Sequence, residues 1–398
     1  MQKYKPFLLI LFILSIPINF FSQDFKTVHD GVEYAEVTRK LGDDPVKINL
    51  LRLDLKKVRL DVHHALDAAI GTETTSSIAK RKGAVAAINA GFFRLDTSIF
   101  AGDAANTLVI DGEVLSESTG DRIALEIVNT ESESEVSVGR HKGRILYRFE
   151  GSNLPLEFSG VNRERKKDEV VLYTPKFGVS SQTPVNGTEI LLASCKPENK
   201  SEKASIICKS VEVKENSGNN AIPENGFVVS TSEGNFEIKN IFLKSLKSQA
   251  GSKTKSKRVF IFHHTGYRKN VLISKRNQDV VGGLPQLIKN GKIDISWEQE
   301  KAGRTFVENR HPRTAIAKMK DGKFLMITVD GRQPGVSVGM DLNELAGYLL
   351  EIGAMDAMNL DGGGSTTMFL DGKVVNKPSG TSERQVSDAI LVTRRKKR

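Results

Sequence analysis

The stretch Asn359-Leu360-Asp361-Gly362-Gly363-Gly364-Ser365-Thr366 holds the densest potential for chemistry in this chain. Ala357 to Leu360 reads as a short buried strand that runs into a carboxylate and then three glycines. Glycines let backbone approach a ligand closely, and successive N–H groups can form an anion-binding nest. Ser365 and Thr366 add hydroxyl donors. A carboxylate beside such a cradle suits acid–base work on a phosphorylated or sugar substrate. The competing reading is a tight turn that happens to hold polar residues, and the motif alone names no reaction.

Other site types fail on spacing. No G-x-x-x-x-G-K-[ST] occurs, so Gly362–Gly364 is not a P-loop, and no H-E-x-x-H occurs. Gly335-Val336-Ser337-Val338-Gly339 matches G-x-S-x-G, but that chemistry needs an acid and then a histidine after the serine. Every histidine, the last being His311, lies upstream, so Ser337 reads as a loop residue before a helix. Cys195 and Cys208 are the only cysteines; they lack C-x-x-C spacing, and a disulfide and two free thiols are equally compatible with the sequence.

The elements that must carry the motif are mainly strands. Lys47 to Leu55 and Val58 to Val62 alternate, and Ala84 to Ile88 reads as a buried strand after a short helix over Thr75–Lys82 that Gly83 stops. Asp111-Gly112, Asn290-Gly291, Asp321-Gly322 and Asp371-Gly372 each sit between apolar runs and signal hairpins. Asp341 with Glu344 forms a capping box for a helix whose apolar stripe is Leu342, Leu345, Ala346 and Leu349, with Gly353 as its stop. The expected fold class is α+β: a mixed, largely antiparallel sheet with flanking helices.

Composition sets the outer limits. Hydrophobic residues are 39% and charged residues 27%, which admits a sizeable core and excludes wholesale disorder or a polytopic membrane protein. The net charge is +10, part of it in the run Arg394 to Arg398. No basic stripe interleaves with aromatics, so the charge points to polyanionic surroundings and not to nucleic acid. Residues 1–22 place Lys3 and Lys5 before an interrupted apolar run, Phe7 to Phe21, the layout of a signal peptide. The expectation is a mature chain starting near Gln23, secreted or periplasmic, with no stable membrane span after cleavage. The expected organisation is a signal peptide over 1–22, a strand-rich segment over 23–83, and a domain over 84–398. That domain carries a polar insertion with mobile loops at about 196–258, richest in Ser and Lys over 245–258, and a basic tail.

Several motifs occur in a telling order: Asn89-Ala90-Gly91-Phe92-Phe93, Asn309 to Ala315, Asp330-Gly331-Arg332, Asn359 to Thr367, Asn376 to Ser379 and Glu383-Arg384. Together they resemble the phosphodiester glycosidase domain, over roughly Ile88 to Val392 with the 196–258 region interrupting. The resemblance implies hydrolysis of a sugar-1-phosphodiester, of the N-acetylglucosamine-1-phosphodiester kind, in a glycan or exopolysaccharide.

Under that resemblance the phosphate calls for arginines, which grip two oxygens at once. Arg313 and Arg332 come first, then Arg384. Glycosidic cleavage normally uses two carboxylates. Asp361 is the first, while Asp330 and Glu383 compete for the second role. Asp330 could instead be a turn residue, and Glu383 could pair with Arg384. Asn89 binds a sugar hydroxyl or acetamide, or else caps the following turn. Asn359, Gly362, Gly363, Gly364, Ser365 and Thr366 complete the expected substrate site. No cofactor is required and no metal set is evident, although an Asp-rich site could recruit Ca²⁺ or Mg²⁺. The expected partner is a carbohydrate or phosphoglycan. Two rival functions are a non-catalytic glycan-binding protein on the same scaffold and a phosphodiesterase that cuts P–O.

Overall fold

The computed structural model describes residues 23–141, 143–149, 155–198, 205–208, 210–232, 259–265 and 277–395. The signal-peptide reading of 1–22 lies outside the described residues, as do 233–258 and other parts of the 196–258 insertion.

The architecture corrects the expected α+β class. Strands make up 48% of the described residues and helices 9%. The α-helices among the described residues are Thr75–Arg81, Arg304–Glu308 and Leu342–Glu351, and they are too short and too few to form a layer. The fold is β-rich, built from several sheets. The physical reason is that many strand faces bury against other strands, while one face of the eight-stranded sheet packs on the helix Leu342–Glu351. One core cluster joins Leu51, Leu60, Ile88, Leu125, Met326, Met368 and Ile390, which belong to three different sheets.

Two sheets position the site. The larger has eight strands and includes, side by side, Asp44–Leu53, Phe324–Val329, Arg313–Met319, Ala354–Asn359 and Gln286–Lys289. The smaller runs Lys373–Val374, Met368–Leu370, Ala86–Asn89, Asp388–Arg394, Val58–His64. All pairings in both are antiparallel. The segment 23–83 is woven into this body, because Asp44–Leu53 pairs with Phe324–Val329 and Val58–His64 with Asp388–Arg394. Within 196–258, the strands Ser210–Ser217 and Phe227–Ser232 each flank Gly187–Ala193.

Local signals hold where the chemistry is local. Asp111-Gly112, Asn290-Gly291 and Asp371-Gly372 adopt two successive positive φ values, as a two-residue hairpin turn requires. The Asp341–Glu344 capping box is complete, with Glu344 N donating to Asp341 at 2.8 Å and Asp341 N to Glu344 at 3.0 Å. Cys195 and Cys208 are joined in a disulfide.

Candidate functional site

Four strand ends converge at the glycine loop. Ala86–Asn89 and Ala354–Asn359 end there, while Arg313–Met319 and Asp388–Arg394 begin there. Backbone bonds tie the loop to its neighbours: Leu360 N donates to Thr314 O at 2.8 Å, Asp361 N to Ala90 O at 2.9 Å, and Gly363 N to Pro312 O at 2.9 Å. Gly363 has φ +59°, which L side chains rarely adopt. Gly364 is needed for a different reason. A Cβ there would stand 2.3 Å from Arg384 Nη2, so the missing side chain is what lets the guanidinium lie on the backbone.

Two arginines flank the loop with their donors free for a ligand. Arg384 is exposed and makes no ion pair or hydrogen bond among the described residues. Arg332 is also exposed and lies over Gly363, where a Cβ would be 3.2 Å from its Nη2. Its one side-chain contact is a long one, 3.4 Å, to His311 Nδ1. Burial, with the nearby charges of Arg313 and Arg332, holds His311 below the usual imidazole range, so its ring is neutral at pH 7.

Asp361 lies in the same loop, within the field of Arg384. Part of the residue meets solvent, yet its carboxyl is densely enclosed, and burial pushes it up to about 6. Ser365, the charge of Arg384 and the Gly362 N–H pull it back, while Asp388 pushes it further up. Ser365 Oγ does this by proximity, since it makes no hydrogen bond of ordinary geometry. A carboxylate tuned this close to neutrality beside unpaired arginines is the arrangement expected of a working acid–base or charge-stabilising group.

The other nominated residues are engaged elsewhere. Arg313 is 1% exposed; its Nε donates to Met340 O, and its Nη2 to Phe306 O and Asn309 O, each at 2.8 Å. It is an interior brace, and burial lowers it to about 10. Asp330 is buried and accepts from Asn376 Nδ2 and Lys377 N at 3.1 Å. Burial pushes its carboxyl up, while those two donors pull it back. Glu383 does not pair with Arg384. It accepts from Ser76 N at 2.8 Å and Ser76 Oγ at 2.5 Å, at the first turn of the helix Thr75–Arg81.

Asn89 is buried and braces the turn: Nδ2 donates to Asp361 O at 2.7 Å, and Oδ1 accepts from Thr314 Oγ1 and Thr367 N. Asn359 is likewise interior, donating to Leu284 O and Leu360 O, with its Oδ1 unpaired. The hydroxyls of Ser365 and Thr366 are buried and unpaired, so they do not line an open cradle. Ser337 Oγ is equally structural, donating to Asp330 O at 2.6 Å. No group of three or more His, Cys, Asp or Glu residues among the described residues is arranged to hold a metal ion.

Sequence reasoning missed His311 and Asp388. His311 lies inside the Asn309 to Ala315 motif, so its place beside Arg332 was detectable. Asp388 heads the apolar run Ala389 to Val392, and an acid at the head of a buried strand was its only signal.

Known proteins resemble this chain in fold and in part of its sequence. The fold is that of a hypothetical protein from Synechocystis, with a TM-score of 0.71 at 20% identity over 93% of this chain and 63% of the other. A protein of Burkholderia pseudomallei described as exported gives 0.66 at 20% identity, over 88% of this chain and 74% of that one. Residues 204–393 match the family model for Phosphodiester glycosidase. N-acetylglucosamine-1-phosphodiester alpha-N-acetylglucosaminidase from Bos taurus is 35% identical over 129 residues, 28% of this chain and 24% of the relative. The Homo sapiens enzyme is 33% identical, over 28% and 25%. A prophage-derived protein of Bacillus subtilis is 38% identical over 84 residues, 21% of this chain and 13% of that protein. The chain spans no more than about a quarter of the length of these relatives. No helix among the described residues is long and apolar enough to cross a membrane.

Proposed function

We propose that the chain is an exported hydrolase that cleaves the glycosidic bond of a sugar-1-phosphodiester in a phosphoglycan or exopolysaccharide. One observation carries this reading: Arg332 and Arg384, both exposed and without acid partners among the described residues, flank the glycine loop beside Asp361. Guanidinium groups match phosphate oxygens in shape and charge. The family match over 204–393 supports the reaction class.

In this reading the two arginines hold the non-bridging oxygens of the phosphodiester. The sugar C1–O bond breaks, and its electron pair stays on the phosphate oxygen, where the arginines neutralise it. Because that leaving group is stable as an anion, strong protonation is unnecessary. Asp361, ionised above about pH 6, stabilises the positive charge that develops at C1. Water supplies the hydroxyl to C1, and its proton passes to the departing phosphomonoester or to bulk solvent. With Asp330 and Glu383 bound elsewhere, neither supplies a second carboxylate. The relatives' printed activity makes N-acetylglucosamine-1-phosphodiester the first substrate to try. The apolar start of the chain and the Cys195–Cys208 disulfide support an oxidising, extracytoplasmic location.

The test is turnover of a panel of sugar-1-phosphodiesters in ¹⁸O-water. Label in the released sugar supports C–O cleavage. Label in the phosphate means a phosphodiesterase, and binding without turnover means a glycan-binding protein.

A further inference from the structure

Behind the glycine loop lies a buried acid that the proposed reaction does not use. Asp388 is 1% exposed, and directly across the strand pair from it is His64, also 1% exposed. The His64 ring nitrogens both face carbonyl oxygens: Nδ1 is 2.9 Å from Ala65 O, and Nε2 is 3.2 Å from Gly102 O. A carbonyl oxygen only accepts, so both contacts are satisfied together only when both nitrogens donate, as they do in an imidazolium. A buried cation needs a counter-charge, and Asp388 is placed to supply it. Burial pushes the Asp388 carboxyl up, while Ser387, His64 and the Gly91 N–H favour its ionised form.

Asp388 also holds the turn from which Asp361 hangs. Its Oδ1 accepts from Gly91 N at 2.6 Å, and its Oδ2 from Ser387 Oγ at 2.5 Å. Its backbone O accepts from Ala90 N at 3.1 Å, and Ala90 O in turn accepts from Asp361 N at 2.9 Å. The same contacts explain Gly91, where a Cβ would lie 3.1 Å from Asp388 Oδ1.

We propose that His64 and Asp388 form a buried charge pair that positions Asp361 and tunes its charge. They are positioning residues, and the inference rests on the reading of Asp361 as the working carboxylate. The charged and polar groups facing Asp361 are Arg384, Asp388, Ser365 and the Gly362 N–H; those facing Asp388 are His64, Ser387 and the Gly91 N–H. Asp388 raises the proton affinity of Asp361 by like-charge repulsion, so removing its charge must lower it.

The experiment has two arms, neither of which needs turnover. In the unaltered protein at pH 7, ¹⁵N NMR of His64 should show both ring nitrogens protonated; a neutral ring overturns the proposal. In Asp388→Asn, which keeps the size and an acceptor for Gly91 N, ¹³C NMR of the Asp361 carboxyl should show its titration moved to lower pH, by about one unit for a neighbouring like charge. An unmoved titration in the folded variant overturns the proposal, and if that variant does not fold the ¹⁵N arm decides. Where turnover is measurable, the acid limb of the pH–rate profile should move the same way. Absence of turnover in the unaltered protein, with the titration still displaced in the variant, would count against the proposed reaction and leave the charge pair standing.

Discussion

The Arg384 guanidinium rests on Gly364 so closely that a Cβ at that position would stand 2.3 Å from Nη2. Gly364 does not have a positive φ, so alanine is compatible with the backbone there. Gly364→Ala should therefore displace Arg384 while leaving the melting temperature close to that of the parent. We expect affinity for inorganic phosphate, measured by calorimetry, to fall at least tenfold. Unchanged affinity would remove Arg384 from the phosphate site.

Arginine replacements should separate into two classes. Arg332→Lys and Arg384→Lys keep the charge but lose the planar fork, so turnover of a sugar phosphodiester should fall more than turnover of an aryl glycoside without phosphate. Arg313→Lys should instead lower thermal stability, by about 2–4 kcal/mol for a buried group that loses several carbonyl contacts. An Arg313→Lys protein with parental stability and a loss specific to phosphodiesters would return Arg313 to the substrate site.

Asp361 should govern the acid limb of activity. Its carboxyl is raised from 3.8 to about 6, chiefly by burial, so activity that needs the ionised form should rise through pH 6. Stability should run the other way. The folded state binds the proton more tightly than the unfolded chain, so this contribution is complete below about pH 4 and is lost as pH climbs through about 6. Asp361→Asn should cost about a hundredfold or more in turnover. It should melt no lower than the parent at pH 8, since it removes a buried charge. Near-normal turnover would take Asp361 out of the mechanism, and unfolding would restore the structural-turn reading.

Glu383→Gln is expected to leave the pH–rate profile in place. The side chain accepts from Ser76 at the start of the helix Thr75–Arg81, so its loss should cost about 0.5–1 kcal/mol in stability. A large drop in kcat with unchanged melting would mean that Glu383 reaches the reaction after all.

Much of the local architecture could be read from residues alone. The Asp341–Glu344 capping box, the Asx-Gly hairpins and the buried strand ahead of Asp361-Gly362-Gly363-Gly364 all formed, because each depends on groups a few positions apart. The motif order that resembled a phosphodiester glycosidase was equally legible, and the family match bears it out. Only the tertiary structure decided the class of the fold. Whether a strand's apolar face meets a helix or another strand is not written in its own alternation, and here one core cluster joins strands of three sheets while another seats a sheet face on the helix Leu342–Glu351. Burial likewise decided which polar residues stay open to solvent at the glycine loop. Arg313 and Arg332 look alike in the chain, yet Arg313 is surrounded by carbonyls supplied by Phe306, Asn309 and Met340, while Arg332 stays in solvent over Gly363. Asp388 gained its importance from His64, a residue 324 positions earlier that only strand pairing brings opposite it. Hydrogen-bond partners and desolvation are set by what folds against a side chain, and that is long-range information which no local pattern carries.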